Sequence, residues 1–277
     1  FHEHFDTDAY LKDFYARVDD AAMQMDFYAR VDDAAMQMVL FHLPNIVARL
    51  GSLPSLLDFG SGPTIHVAVC FRHTAEEIYL ADYLPQNRDE LCQWLSGQSK
   101  FDWSTVMRII AAREAVPLSI IAAREAVPLS EIRQMEQKAR EKVREKSFCK
   151  TVQRVSINCP NLFFCPSSAI TTFFTLKYCC LSSYEYAWQS FECPFAPDGV
   201  LIMGGVLEET WCAFGGRQFK CLFVSRKLMM ECLRGAGLIL EDQLDNELFY
   251  ELDDQLDNEL FYELDGMYIL VARKMAE

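Results

Sequence analysis

Ser55-Leu56-Leu57-Asp58-Phe59-Gly60-Ser61-Gly62-Pro63-Thr64 is an apolar run that breaks on two glycines one residue apart. The run is too short for a helix and reads as a buried strand, with Gly60-Ser61-Gly62-Pro63 as a tight turn at its carboxyl end. Gly60 and Gly62 let the backbone approach a ligand with no Cβ in the way. Glu77–Leu80 (EIYL) reads as a second short strand, and Asp82 stands just past its end. Ligands of open α/β sheets bind beyond the carboxyl ends of the strands, near the topological switch point. A carboxylate placed there can accept hydrogen bonds from vicinal ribose hydroxyls. The pairing of glycine turn and strand-end acid therefore points to a nucleoside-bearing ligand.

Working outward, Ala9 to about Leu50 reads as helix, with Val31, Ala34, Ala35, Met38 and Val39 at helical spacing. Asp89–Leu95 reads as a helix with Leu91, Trp94 and Leu95 on one face, and Glu131–Lys146 as a charged, solvated one. Ala169–Phe174 and Val200–Met203 are strand-like, the second following the turn Pro197-Asp198-Gly199. Ser225 caps a helix over Leu228, Met229 and Leu233 that Gly235 and Gly237 stop. Glu259–Leu264 and Met267–Val271 are joined by Asp265-Gly266, a strong hairpin signal because both turn positions need φ > 0. Strand and helix in alternation, closing on a hairpin, imply an α/β sandwich around a mostly parallel sheet.

Three segments occur twice without a single substitution: Asp13–Met25 as Asp26–Met38, Ile109–Ser119 as Ile120–Ser130, and Asp242–Asp253 as Asp254–Asp265. The units are unrelated and each appears only twice, which excludes a solenoid. Perfect copies imply a recent duplication or an error in assembling the sequence. In the third pair the second copy touches the hairpin turn, so the first reads as the insert.

The 277 residues carry a net charge of −14 and are 51% hydrophobic, enough for a packed core. The acidic balance argues against a nucleic-acid partner, which calls for a basic patch. No apolar run is long enough to span a bilayer. The start, Phe1-His2-Glu3-His4, shows no initiating Met and no signal pattern, and reads as a fragment or processed end. Eleven cysteines without C-x-x-C pairing then suggest reduced thiols and a cytoplasmic location. His2 and His4 have no further ligand at zinc-like spacing, so no metal is expected.

Among nucleotides, the dinucleotide fingerprint fails at Ile65, where its third glycine belongs, and no P-loop is present. The remaining common adenosine ligand of this architecture is S-adenosylmethionine. LLDFGSGPTI (Leu56–Ile65), ADYLPQNRDEL (Ala81–Leu91), VLEETWCAFGG (Val206–Gly216), LDGMYILVARK (Leu264–Lys274) and HFDTDAYLKDFY (His4–Tyr15) resemble the small-molecule amine N-methyltransferases, the nicotinamide, phenylethanolamine and indolethylamine enzymes.

The resemblance implies a Rossmann-like class I methyltransferase. Its mostly parallel, seven-stranded sheet would end in an antiparallel hairpin, with residues 1–50 as a helical cap and 51–277 as the methyltransferase domain. It implies that Tyr10 and Tyr15 close over the donor, that Gly60, Ser61 and Gly62 line its amino-acid part, and that His66 stands where the family usually has Tyr. Asp82 would hold the ribose hydroxyls and Asn87 the ribose–adenine region; taken alone, Asn87 reads as a helix-start cap. Glu209 matches the acid that binds the amine in the phenylethanolamine branch. The nicotinamide branch places an Asp where Gly204 or Gly205 stands here, which favours an aralkyl or aliphatic amine. A monomer acting on a small amine is expected. Departures at Lys150, beside Cys149, at Lys177, and over 147–168 and 181–195 keep open an alternative, a homologue that binds the donor without turnover.

Overall fold

The structure is a computed structural model, which describes residues 4–16, 18, 31–115, 127–143, 167–175, 195–240, 261–264 and 266–275. The expected pair His2 and His4, and the departures at Cys149, Lys150 and Lys177, fall wholly or partly outside these residues.

The quoted run is β1 (Leu53–Phe59), with Leu56, Leu57 and Asp58 buried. It lies between two parallel neighbours, β2 (Ala75–Ala81) and β3 (Ser167–Phe173). Next to β3 comes the parallel β4 (Phe195–Val206), then the antiparallel β9 (Met267–Lys274). The far edge of β9 is shared by β7 (Leu238–Leu240) and β8 (Phe261–Leu264). Among the described residues the sheet thus has seven strands in the order β2-β1-β3-β4-β9-β7, with β8 beside β9. From β1 the chain turns first to β2 on one side and then to β3 on the other. The switch point is therefore at the carboxyl end of β1.

Side chains alternate across the strands and divide the core in two. Leu56, Ile202 and Val271 face a layer that includes α2 (Val31–Arg49), α3 (His66–Phe71), α5 (Ser104–Ala115) and α6 (Leu129–Lys142). Leu57, Leu201, Leu270 and Ala272 face the other way, onto Met229 and Leu233 of α7 (Arg226–Gly235). Each such Leu or Ile, fully buried, contributes roughly 1.5–3 kcal/mol. Val39, Leu40 and Leu43 of α2 and Leu11 of α1 (Thr7–Phe14) belong to the first of these clusters, so α1 and α2 share the core of the sheet.

Several expectations are refined. The first segment is two helices, α1 and α2, rather than one over Ala9–Leu50, and residues 19–30 between them lie outside the described ones. The helix expected from Asp89 begins at Pro85: α4 (Pro85–Leu95) uses the fixed φ of proline in its first turn. The charged helix α6 is not solvated all round, since Ile132, Met135 and Ala139 form a buried face. Ser225 caps α7 by accepting the Leu228 N–H at 3.2 Å; Gly235 is its last residue, and Gly237 takes the left-handed turn after it. Leu264 pairs with Met267 across Gly266 at φ 82°, as a two-residue hairpin requires. An unforeseen second hairpin, β5 (Trp211–Phe214) and β6 (Arg217–Lys220), turns on Gly215 and Gly216, both at positive φ.

Candidate functional site

The glycine turn at the switch point is tied to the end of β2. Gly60 and Ser61 both donate their N–H to the Ala81 carbonyl, at 2.7 and 3.0 Å. Gly60 and Gly62 have φ of 71° and 60°, left-handed values that exclude most other residues here. The Gly62 N–H donates to Oδ2 of Asp82 at 2.8 Å. Asp82 Oδ1 accepts from the Leu84 N–H at 2.8 Å and from Asn87 Nδ2 at 3.1 Å. Asn87 Oδ1 in turn accepts from Thr7 Oγ1 at 3.0 Å, which links α1 to the site. Asn87 is the third residue of α4 and buried, whereas Leu84 is the cap position; the helix-start reading is corrected accordingly.

Turn, strand-end acid and Asn87 are thus one hydrogen-bonded unit. Of the four lone-pair positions of Asp82, the described partners take three. Among the described residues Oδ2 has one partner and so retains one acceptor position. Burial raises the Asp82 carboxyl above its ordinary range, opposed by the N–H groups of Leu84 and Gly62 and by Asn87. Asp58, at the end of β1, is pushed up to about 7 by burial, against the Thr171 hydroxyl, which donates to it at 2.8 Å. The nearby Asp82 adds to that rise.

Aromatic residues cluster around Tyr10, Tyr15 and His66. Tyr15, at the end of α1, is buried, and its hydroxyl lies 3.4 Å from His66 Nδ1. His66 opens α3 and is equally buried. Its Nε2 has no hydrogen-bond partner among the described residues, and burial lowers the imidazole to about 3. Phe173, the last residue of β3, lies 5.8 Å from the His66 ring. Tyr10 packs half-buried among Phe5, Phe14, Tyr15 and Phe214, so the β5–β6 hairpin and α1 close on each other through aromatic edges. Ser61 is buried, and Thr64 Oγ1 donates to its carbonyl at 2.7 Å.

Glu209 lies on the connection between β4 and β5, half-buried beside the exposed Glu208. The end of β4 is two strands from β1, so Glu209 belongs to the same rim of the sheet but to its other half. A Cβ on Gly204 would stand 2.9 Å from Phe173 Cδ1 and 3.1 Å from the Tyr268 carbonyl, so a side chain there would require the Phe173 ring to shift, whereas a Cβ on Gly205 would come no nearer than 3.3 Å to the Tyr268 hydroxyl. Sequence reasoning missed Thr7, Thr171 and Thr175, whose hydroxyls hold Asn87, Asp58 and the carbonyls of the turn. A lone threonine gives no signal until its neighbour in space is known.

These residues fit a nucleoside donor with an amino-acid tail. Gly62 is open, since a Cβ there would meet only Thr64 Cγ2, at 3.7 Å. Asp82 keeps an acceptor position, and His66 Nε2 is a buried polar atom awaiting a partner. Among the described residues no helix is long and apolar enough to cross a membrane.

Comparison with known proteins agrees with this geometry. The model of the NNMT/PNMT/TEMT family matches residues 1–275. A nicotinamide N-methyltransferase of Caenorhabditis elegans is 32% identical over 249 residues, 84% of this chain and 81% of that one. An indolethylamine N-methyltransferase of Oryctolagus cuniculus is 24% identical over 227 residues, covering 79% and 77%. A phenylethanolamine N-methyltransferase of Mus musculus is 27% identical over 181 residues, covering 64% and 57%.

Proposed function

The chain belongs to the NNMT/PNMT/TEMT family, S-adenosylmethionine-dependent N-methyltransferases of small molecules, and on that premise we propose that it methylates an aralkyl or aliphatic amine held by Glu209. The observation that carries the choice of acceptor is at the end of β4. Gly204 and Gly205, one of which stands where the nicotinamide branch has its Asp, carry no carboxylate, and a Cβ on Gly204 would crowd the Phe173 ring at 2.9 Å. Of the acids that follow, Glu208 is exposed and Glu209 half-buried, which supports Glu209 as the group that meets the ligand cation.

The donor, when bound, would supply a sulfonium methyl group, whose carbon a nitrogen lone pair attacks in line while the sulfur leaves as the thioether with the C–S bonding pair. The chain's work is alignment and exclusion of water. Asp82 accepts a ribose hydroxyl on the open position of Oδ2, and Asn87 borders the same sugar. Gly60, Ser61 and Gly62 line the amino-acid part. His66 turns Nε2 toward it, with Tyr15 fixing the ring through Nδ1. Tyr10 and Tyr15 close over the donor, and α1 with the β5–β6 hairpin forms the cap, a narrower one than residues 1–50. Glu209 orients the ammonium form of the amine and takes up its proton, directly or through water, so that the lone pair is free.

A labelled-donor assay over a panel of phenylethylamines, indolethylamines, aliphatic amines and nicotinamide tests this reading. Turnover is expected on amines, and Glu209→Gln lowers kcat/KM for them by roughly 10- to 100-fold, as for loss of a charged hydrogen bond. S-adenosylhomocysteine affinity stays unchanged in that variant. Nicotinamide as the preferred acceptor overturns the choice of substrate, and donor binding without turnover on any acceptor leaves a homologue that has lost catalysis.

A further inference from the structure

The face of Gly60 that lacks a Cβ is not open. The side chain of Thr175 occupies the space a Cβ would need. Thr175 follows Phe174, whose φ of 59° turns the chain back over the end of β1. From there Thr175 Oγ1 reaches three carbonyl oxygens: Gly60 at 3.0 Å, Phe173 at 3.1 Å and Phe59 at 3.3 Å. They come from the carboxyl ends of two neighbouring strands, β1 and β3, at the switch point.

A hydroxyl has a single hydrogen, so it satisfies one of these carbonyls at a time. Three acceptors around one point exceed what Thr175 can use. They match, in number and in sign, a primary ammonium, which presents three N–H donors and a positive charge. S-adenosylmethionine and its demethylated product both carry such a group on the α-carbon. We propose that Thr175 stands in for the donor's α-ammonium: its hydroxyl holds the three carbonyls in the donor-free protein, yields them on binding, and so sets donor affinity by competition. This rests on the placement of the donor at the glycine turn proposed above.

Thr175→Ala, Thr175→Val and Thr175→Ser separate competition from a structural role. Affinities are measured by calorimetry for S-adenosylhomocysteine, which has the ammonium, and for 5′-methylthioadenosine, which keeps the nucleoside and thioether without it. Removing the hydroxyl takes away a hydrogen bond made only in the free state. Thr175→Ala therefore binds S-adenosylhomocysteine about 3- to 10-fold more tightly than the parent, with 5′-methylthioadenosine unchanged. Thr175→Val, which keeps the branched shape, shifts in the same direction and serves if the Ala variant does not fold. Thr175→Ser stays at the parent value. Affinity for S-adenosylhomocysteine that is unchanged or weaker in both Ala and Val variants overturns the proposal, as does equal tightening of both ligands. A parent protein that binds neither ligand at micromolar concentration refutes the donor placement itself.

Discussion

Asp82, the proposed partner of the ribose, is a structural group as well. It holds the Gly62 N–H on one oxygen and the Leu84 N–H and Asn87 on the other, so its loss reaches the whole turn. Asp82→Asn keeps the size but opposes an amide N–H to a backbone N–H. Affinity for S-adenosylhomocysteine is expected to fall roughly 10- to 100-fold, with a lower melting temperature besides. Asp58 and His66 make opposite pH signatures. Asp58 is raised from 3.8 to about 7 in the fold, so the folded state holds a proton that the unfolded state has lost, and its stability contribution declines as pH rises from about 4 to 7. His66 is lowered from 6.5 to about 3, so its neutral form is favourable above 6.5 and the contribution is lost as pH falls toward 3. The two trends partly cancel in the parent protein. Melting curves across this range should separate them: Asp58→Asn gains on the parent as pH rises, and His66→Phe gains as pH falls. A pH-independent offset in both variants would mean that neither group titrates as its burial dictates. Gly60 and Asp82 were legible in the sequence because spacing and strand ends place them, whereas Asn87 came only through the family resemblance and by itself read as a helix cap. The burial of Asp58 and the orphaned nitrogen of His66 were not, because both depend on neighbours more than forty residues away, Thr171 and Tyr15.

At the scale of elements, β1 and its turn could be read because Leu56, Leu57 and Phe59 are confined to seven residues ending on glycine. The hairpin β5–β6 escaped notice although Gly215-Gly216 is a turn signal, since only four residues flank it on each side. Yet this hairpin ties α1 down. Phe214 packs on Tyr10 and Phe14, and the Gly215 N–H donates to Asp13 Oδ2 at 2.8 Å. A Cβ on Gly215 would stand 2.9 Å from the Cβ of Ala9 and would have to tolerate φ of 56°. Gly215→Ala is therefore expected to cost about 1 kcal/mol and to push α1 away from the hairpin. Limited proteolysis within residues 1–18 should become faster, and the amine KM should rise with little change in donor affinity. Cleavage at the parent rate would show that the hairpin does not hold α1.

For the molecule as a whole, the duplications decide how much of the chain the fold needs. Described residues from the second pair are Ile109–Ala115 and 127–130, which together spell one unit. In the first pair, α1 ends on Asp13 and Phe14 of one copy while α2 begins at Val31 of the other. In the third, β8 takes Phe261–Leu264 from the second copy, as the adjacent hairpin turn implied. In the first pair Val18 of one copy and Val31 of the other, the same position of the unit, are both described, so it is in the second pair that the described residues amount to a single unit. One copy of each accounts for 36 of the 277 residues and for charges of −2, 0 and −5. Half of the net charge of −14 therefore comes from the extra copies, and the overall acidity says little about the substrate. A loop lengthened by about a dozen residues costs on the order of 0.5–1 kcal/mol in closure entropy, so a chain with single copies should be as stable or slightly more so. Excising one copy of each unit and measuring melting temperature, circular dichroism and S-adenosylhomocysteine affinity is the decisive comparison. An equal or higher melting temperature with unchanged affinity is expected. A shortened chain that does not fold, or that folds and no longer binds, would show that the second copies carry structure of their own.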